Sequence, residues 1–382
     1  MLLWLLFACR PLETPVPERG SEIRYSPVPE PSGMAEELVQ RVPESTWDGG
    51  LARAATLLVA HATDRRAHLS VEAVTTAQAI AGYPGQASFA KEVNGGALPE
   101  SIAEDLANYA LSSKHPVDIG LARRDYADGL TLWVGGVARR AILVDPMPRD
   151  LSLDQPVAVM LETSLPELLL FVAPPGAPVE VFEPTGGVAL WVDRFHIPGT
   201  YTLEVVNPEE GEVLALWHHF VETRPPAMSP LVPLPKENPD PMQATERLYE
   251  ALDRLRTEAG LPPVQRFENF EALAREHAAL MAHQGRIAHV LPGLSGGVAA
   301  VAQRDFVPLA RHHEAVAAGY FWEEAMDLVR SSPGHLRTLL CEPCTHASIG
   351  VVLEPTLDMR PRLFVVWELL EFPSGLPERK PW

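Results

Sequence analysis

Seven prolines between Arg224 and Pro241 divide this chain. Proline lacks an amide donor and fixes φ, so a stretch this dense can run neither through a helix nor through the interior of a sheet. The tract, taken as residues 224–243, reads as a semi-rigid linker between folded units. A second tract, Arg10 to Ser32, holds six more prolines with little periodic hydrophobicity and reads as a tether. At 382 residues the chain has room for two to three domains of roughly 150 residues each. The expected division is residues 1–9 as an export segment, 10–33 as tether, and 34–150 as a mainly helical α+β domain. A small β-sandwich over 151–223, the linker, and a C-terminal domain over 244–375 complete it. The overall fold class is α+β.

Charge excludes one large class of partner. With 50 acidic and 31 basic residues the net charge is -19, and no basic stripe is present to neutralise phosphates, so nucleic acid is not expected as a partner. The pairs Arg65–Arg66, Arg123–Arg124 and Arg139–Arg140 read as solvated faces.

Leu2 to Ala8 is an unbroken apolar run, far short of the ~20 residues that span a bilayer as a helix. At the start of a chain it reads as an export signal. The tetrad Leu6-Phe7-Ala8-Cys9 resembles the lipobox of bacterial lipoproteins. That resemblance implies lipidation of Cys9, a membrane partner through the lipid anchor, and a place in the cell envelope or outside the cell. Translation from Met34 would instead remove the segment and leave a cytosolic protein.

Periodicity places the remaining elements. Leu51, Ala54, Ala55, Leu58 and Val59 keep helical spacing. Helices are also expected over Glu72–Ile80 and Ser101–Leu111, with hairpin strands over Asp118–Arg124 and Leu130–Val144. From about Leu151 to Glu222, short apolar runs separated by Pro and Gly predict the strands of an Ig-like sandwich. Beyond the linker, Leu248, Leu252, Leu255 and Ala259 mark a helix stopped by Gly260 and followed by Pro262. Phe270, Leu273, Ala274, His277 and Met281 mark a second that ends at Gly285. A third spans Trp322–Arg330, and Ser332-Pro333 opens a fourth with a cap and a first-turn proline. Strands follow over His346–Leu353 and Arg362–Phe372.

Five segments of this C-terminal region resemble, in order, the CAP superfamily (cysteine-rich secretory proteins, antigen 5 and pathogenesis-related proteins) in its bacterial form. They are Leu255 to Pro263, Leu273 to Ala278, Glu314-Ala315-Val316-Ala317-Ala318-Gly319, Ser332-Pro333-Gly334-His335, and the pair Ile349-Gly350-Val351 with Leu363 to Trp367. The resemblance implies an α/β/α sandwich and a pocket formed by His289, Glu314 and His335. The position of the second acidic residue of the family's eukaryotic pocket falls near Ser331 here, so the resemblance does not imply a complete tetrad. Asp118-Ile119-Gly120-Leu121 and Leu130 to Val134 echo the closing strands, so residues 34–150 could be a degenerate repeat without the pocket residues.

Two imidazoles and a carboxylate could bind a divalent metal such as zinc, act as acid and base near neutral pH, or form a buried hydrogen-bonded cluster. No cofactor is required by the sequence. Three readings follow: non-catalytic binding of a small apolar, lipid or cell-wall ligand, metal-dependent hydrolysis of peptide or cell-wall material, or a chain of spacers or adhesins with a vestigial cleft. His277 reads as a core residue, His218–His219 as strand neighbours on opposite faces, and Arg311-His312-His313-Glu314 lacks the spacing of a zincin. Cys341 and Cys344 have metal-ligand spacing but no second cysteine pair, so a local disulfide is expected, with free thiols as the alternative.

Overall fold

A computed structural model describes residues 33–373, apart from 114, 145–147, 160, 163–164, 166, 185–189, 193–194, 210, 235–238, 295–296, 306 and 356–360. The apolar run, Cys9 and the tether lie outside the described residues, as do positions 374–375.

The C-terminal unit contains α5 (Pro241–Glu258), β14 (Gln265–Arg266), α6 (Glu271–Gln284), α7 (Gly297–Arg304), β15 (Arg311–Gly319), α8 (Trp322–Ser331), α9 (Pro333–Leu339), β16 (His346–Pro355) and β17 (Pro361–Glu371). Its sheet has the order β14-β16-β17-β15, with β14 parallel to β16 and the other pairs antiparallel. Leu248 and Leu252 of α5 and Met326 and Val329 of α8 pack with Ala315, Ala317, Ile349 and Trp367 on one face. Ala274, Ala278 and Met281 of α6 pack with Val316, Ala318, Phe364 and Val366 on the other. Strand side chains alternate between faces, so the two helical layers divide β15 residue by residue.

Local chemistry sets the helix ends. The Asp240 carboxylate caps α5 by accepting from Met242 N, with Pro241 in the first turn, where its missing donor costs nothing. Ser332 caps α9 by accepting from His335 N. Gly285, at φ 61°, ends α6 in the left-handed conformation that glycine adopts without a Cβ penalty.

The N-terminal unit runs through α1 (Met34–Arg41), β1 (Ser45–Trp47), α2 (Gly49–His61), α3 (Val71–Ala81), β2 (Ala87–Asn94), α4 (Glu100–Ser112), β3 (Val117–Asp125) and β4 (Thr131–Arg139). Its sheet has the order β1-β3-β4-β2, again with a short edge strand parallel to its neighbour and all other pairs antiparallel. Both sheets hold a glycine beneath a helix backbone. A Cβ on Gly120 would lie 2.4 Å from Ala52 N of α2, and one on Gly350 would lie 2.2 Å from the carbonyl carbon of Ala274 of α6. These approaches are closer than any side chain allows.

Between the units lie β5 (Leu143–Val144), β6 (Asp150–Leu151), β7 (Val157–Val159), β8 (Leu161–Glu162), β9 (Leu169–Ala173), β10 (Glu180–Phe182), β11 (Leu190–Val192), β12 (Gly199–Asn207) and β13 (Glu212–Val221). Five of them form the sheet β10-β9-β12-β13-β6, while β11-β7 and β5-β8 form two-stranded pairs. Leu170, Leu203, Val205, Phe195 and Trp217 share a core with Val157 and Leu161.

The proline tract is not a free spacer. Leu231 is buried in the core of the N-terminal unit, and its amide and carbonyl bond His61 O and Thr63 N. Proline removes donors from the tract, but Leu231 keeps its own and pairs like an edge residue. Helix α5 also begins at Pro241, three residues before the expected boundary at 244, because a first-turn proline is compatible with a helix start.

Candidate functional site

Three elements bring the cluster together. Glu314 lies on β15 on the face toward α6, the opposite face from Ala315 and Ala317. His277 is on α6 and His335 in the first turn of α9, while His289 lies in the connection after α6. His289 Nδ1 lies 2.8 Å from Glu314 Oε1, and His277 Nδ1 lies 2.9 Å from Glu314 Oε2. His335 Nε2 and His289 Nε2 face each other at 3.3 Å. His277, read from its apolar spacing as a core residue, is indeed buried, but it also grips the cluster's carboxylate.

Counting protons assigns the charges. Both nitrogens of His277 face acceptors, since Nε2 lies 2.9 Å from the Ala288 carbonyl. An imidazole that donates twice is a cation. Burial opposes that charge, yet the bonds and charge of Glu314 outweigh it and raise the His277 pKa. Burial likewise opposes charge on Glu314, but donation from His277 and His289 holds its pKa down at about 2. With Nδ1–H of His289 given to Glu314, its Nε2 is an acceptor, and His335 supplies the proton between the two Nε2 atoms. Burial, then the neighbouring His289, pushes His335 down to about 3, so it stays neutral. His335 Nδ1 is buried and has no partner among the described residues.

A second carboxyl completes the group. Glu368 on β17 stands directly opposite Glu314 in the sheet register and is 3% exposed. Burial, then repulsion from Glu314, raises its pKa well above the carboxylate range and so favours the neutral acid, and its Oε2 is buried with no partner among the described residues. Ser331 occupies the position where the resemblance finds the second acid missing. That side chain instead caps its own helix by donating to the Leu328 carbonyl. A lone glutamate inside the apolar run Leu363 to Leu370 was the sequence signal for Glu368.

The middle sheet closes one side. Gly211, in the turn between β12 and β13, would place a Cβ 3.1 Å from His289 Cδ2. Buried Glu204 of β12 accepts from Gly334 N at 3.1 Å, next to His335. The His289 side chain keeps 27% of its exposure, so solvent still reaches the imidazole pair.

The spacing of the pair is compatible with a tetrahedral cation of the zinc class. Zinc–nitrogen bonds of about 2.0–2.1 Å in tetrahedral geometry set two nitrogens about 3.3 Å apart. A cation between the Nε2 atoms would displace the His335 proton to the unpartnered Nδ1. Glu314 would not coordinate: both its oxygens already hold imidazoles, which is the role of the carboxylate in a carboxylate–histidine–metal arrangement. No third His, Cys, Asp or Glu donor joins the pair at ligand spacing among the described residues.

No protein-family model matches this chain. No curated protein matches it either. Among solved structures, the chain is similar to an outer surface protein of Borrelia burgdorferi at 20% identity and TM-score 0.30, over 36% of this chain and 98% of that one. An extracellular protein containing an SCP domain from Bacillus anthracis is similar at 16% identity and TM-score 0.30, over 59% of this chain and 68% of that one. A cysteine-rich secretory protein from Staphylococcus aureus is similar at 11% identity and TM-score 0.27, over 60% and 85%.

Cys341 and Cys344 form a disulfide in the loop between α9 and β16. His218 and His219 lie on β13. His219 is wholly buried and bonds the Pro148 carbonyl at 2.7 Å, away from the cluster.

Proposed function

We propose that this chain is an exported CAP-type protein, held to the cell envelope through Cys9, that binds an extracellular ligand without catalysing its conversion. On this reading His289 and His335 hold a zinc-class divalent ion, and its remaining positions are open to a polar group of a lipid or cell-wall ligand. The observation that carries the proposal is the 3.3 Å separation of the two Nε2 atoms, with Glu314 fixing the His289 ring from behind.

The chemistry around the pair argues against hydrolysis. A metal-dependent hydrolase needs a free carboxylate or imidazole to take a proton from bound water. Both oxygens of Glu314 are engaged, burial favours the neutral acid of Glu368, and His277 is already a cation. The bound ion would supply attraction for an anionic or carbonyl oxygen, while the protein groups orient the imidazoles.

The N-terminal unit fits a repeat that lacks this site. When Gly120 is aligned with Gly350, the strand registers place Ala87 at the position of Glu314 and Ala138 at that of Glu368. Both carboxyls are replaced by methyl groups, so that unit serves as scaffold.

Zinc titration of the full chain with its disulfide intact tests the proposal. One equivalent should bind, and His335→Ala and His289→Ala should each abolish binding while the far-ultraviolet circular dichroism stays the same. Absence of stoichiometric binding, or full retention in the His335→Ala protein, would overturn it.

A further inference from the structure

Strand β15 presents a second set of metal-binding atoms on its other face. Successive strand residues point to opposite sides, so His313 shares the face of Ala315 and Ala317, which pack with Cys341 and Cys344. One nitrogen of His313 and the two Sγ atoms all lie within 4.8 Å of one another. One imidazole and two sulfurs are the donor types that zinc prefers.

Contacts other than the S–S bond also hold the loop that carries the two cysteines. Arg256 is fully buried, and its guanidinium donates to the carbonyls of Leu339 at 3.0 Å, Cys341 at 2.9 Å and Cys344 at 3.0 Å. Its Nε donates to the Pro262 carbonyl at 2.9 Å. The loop's own amides add Cys341 N to Thr338 O at 3.1 Å and Cys344 N to Cys341 O at 3.3 Å. Five bonds therefore hold the backbone that carries both sulfurs, and the Pro262 contact fixes the arginine itself.

We propose that reduction converts the Cys341–Cys344 disulfide into a second cation site, in which two thiolates and the His313 imidazole bind one zinc-class ion. Two thiol groups of a reductant supply two electrons and two protons. The protein S–S bond breaks to two thiols, and the reductant leaves as its own disulfide. The incoming ion then displaces both thiol protons to solvent. Water fills the fourth position, since no fourth protein donor stands at ligand spacing among the described residues. The chain would thus carry a redox-gated metal site independent of the histidine pair on the opposite face.

Cobalt(II) is the probe, because thiolate coordination gives it a charge-transfer band in the near ultraviolet that histidine coordination lacks. The full chain is reduced with a dithiol, freed of it without oxygen, and titrated. The band should reach the intensity of one thiolate-bound cobalt per chain in the reduced protein, by two equivalents at most because the histidine pair also takes the ion, and be absent from the oxidised protein. His313→Ala should weaken cobalt binding at least about tenfold, since losing a ligand costs no less than losing a group that orients one. His335→Ala, which removes the competing histidine pair, should leave the final intensity of the band unchanged and bring its saturation to one equivalent. The proposal is overturned by a reduced protein of native circular dichroism that shows no band, or by a His313→Ala protein that titrates like the parent. Loss of native circular dichroism on reduction would also overturn it, because the Arg256 contacts would then not suffice to hold the loop.

Discussion

Glu314 divides its two oxygens between His289 and His277, at 2.8 and 2.9 Å, and so joins a solvent-reached imidazole to a buried one. The carboxylate both pairs with a buried cation and sets the tautomer of the ring that would face a metal.

Replacing Glu314 by Gln keeps the shape but removes the charge and one acceptor. Breaking a buried pair from one side costs about 3 kcal/mol, and loss of an orienting carboxylate weakens a metal site about tenfold to a hundredfold. The pH dependence follows from the signs of the two shifts. Glu314 is depressed to about 2 from 4.5, so its contribution is complete above pH 4.5 and vanishes as pH falls through about 2. His277 is raised from 6.5, so its contribution is complete below pH 6.5 and is lost as pH rises through the raised value. Urea midpoints of parent and variant should therefore differ most between pH 4.5 and 6.5. A constant difference from pH 2 to 9 would contradict the assigned charges.

Glu204 should behave in the opposite sense. Burial raises it to about 7 from 4.5, despite donation from Ser332 and Gly334. Its folded-state stabilisation is complete below pH 4.5 and is lost as pH rises through about 7. Glu204→Gln should match the parent at pH 4 and exceed it by up to about 3 kcal/mol at pH 8. Chemical denaturation at those two values is the measurement, and equal stability at pH 8 would count against a buried neutral carboxyl.

Gly350 and Gly120 should not tolerate a methyl group. Added Cβ atoms at 2.2 and 2.4 Å from helix backbone must push α6 or α2 off its sheet. Alanine at either position should destabilise by about 3 kcal/mol, at the upper end of overpacking costs. Thermal denaturation of the two variants would show whether both sheets carry the same constraint. A stable Gly350→Ala protein would mean that α6 stands farther from the strand.

Arg256 should be irreplaceable by Lys. Three donors on one ammonium cannot reach carbonyls spread over Pro262, Leu339, Cys341 and Cys344 as a planar guanidinium does. Arg256→Lys should lose about 2 kcal/mol through unsatisfied carbonyls and a poorly placed charge, and amide hydrogen exchange should quicken at 339–344. Unchanged protection there would show that the loop holds itself.

The punctuation of this chain was readable and part of its chemistry was not. Gly285, Gly260 and Ser332-Pro333 end or open helices where expected, because caps act through neighbouring backbone and leave a local signature. Strand β15 was assigned no element. Its polar start, Arg311-His312-His313-Glu314, and small-residue end have weak strand preference, and only burial between two helical layers makes it a strand. Edge strands β1 and β14 have three and two residues and are set by their partners. His289, Glu314 and His335 were selected together by resemblance, and the geometry gathers them. The roles of His277 and Glu368 depend on which atoms they meet 37 and 54 positions away, and no periodicity encodes that.

The adjacency of His313 and Glu314 ties two chemistries to a single phase of one strand. Deleting one residue just upstream of His313 could keep the apolar lining intact while shifting every earlier side chain to the other side. Inserting one residue between Glu314 and Ala315 would turn the imidazole toward the face of the histidine pair and the carboxylate toward that of the sulfurs. Neither cluster can therefore drift in sequence without dragging its neighbour, and variation in this strand should come by substitution rather than by change of length.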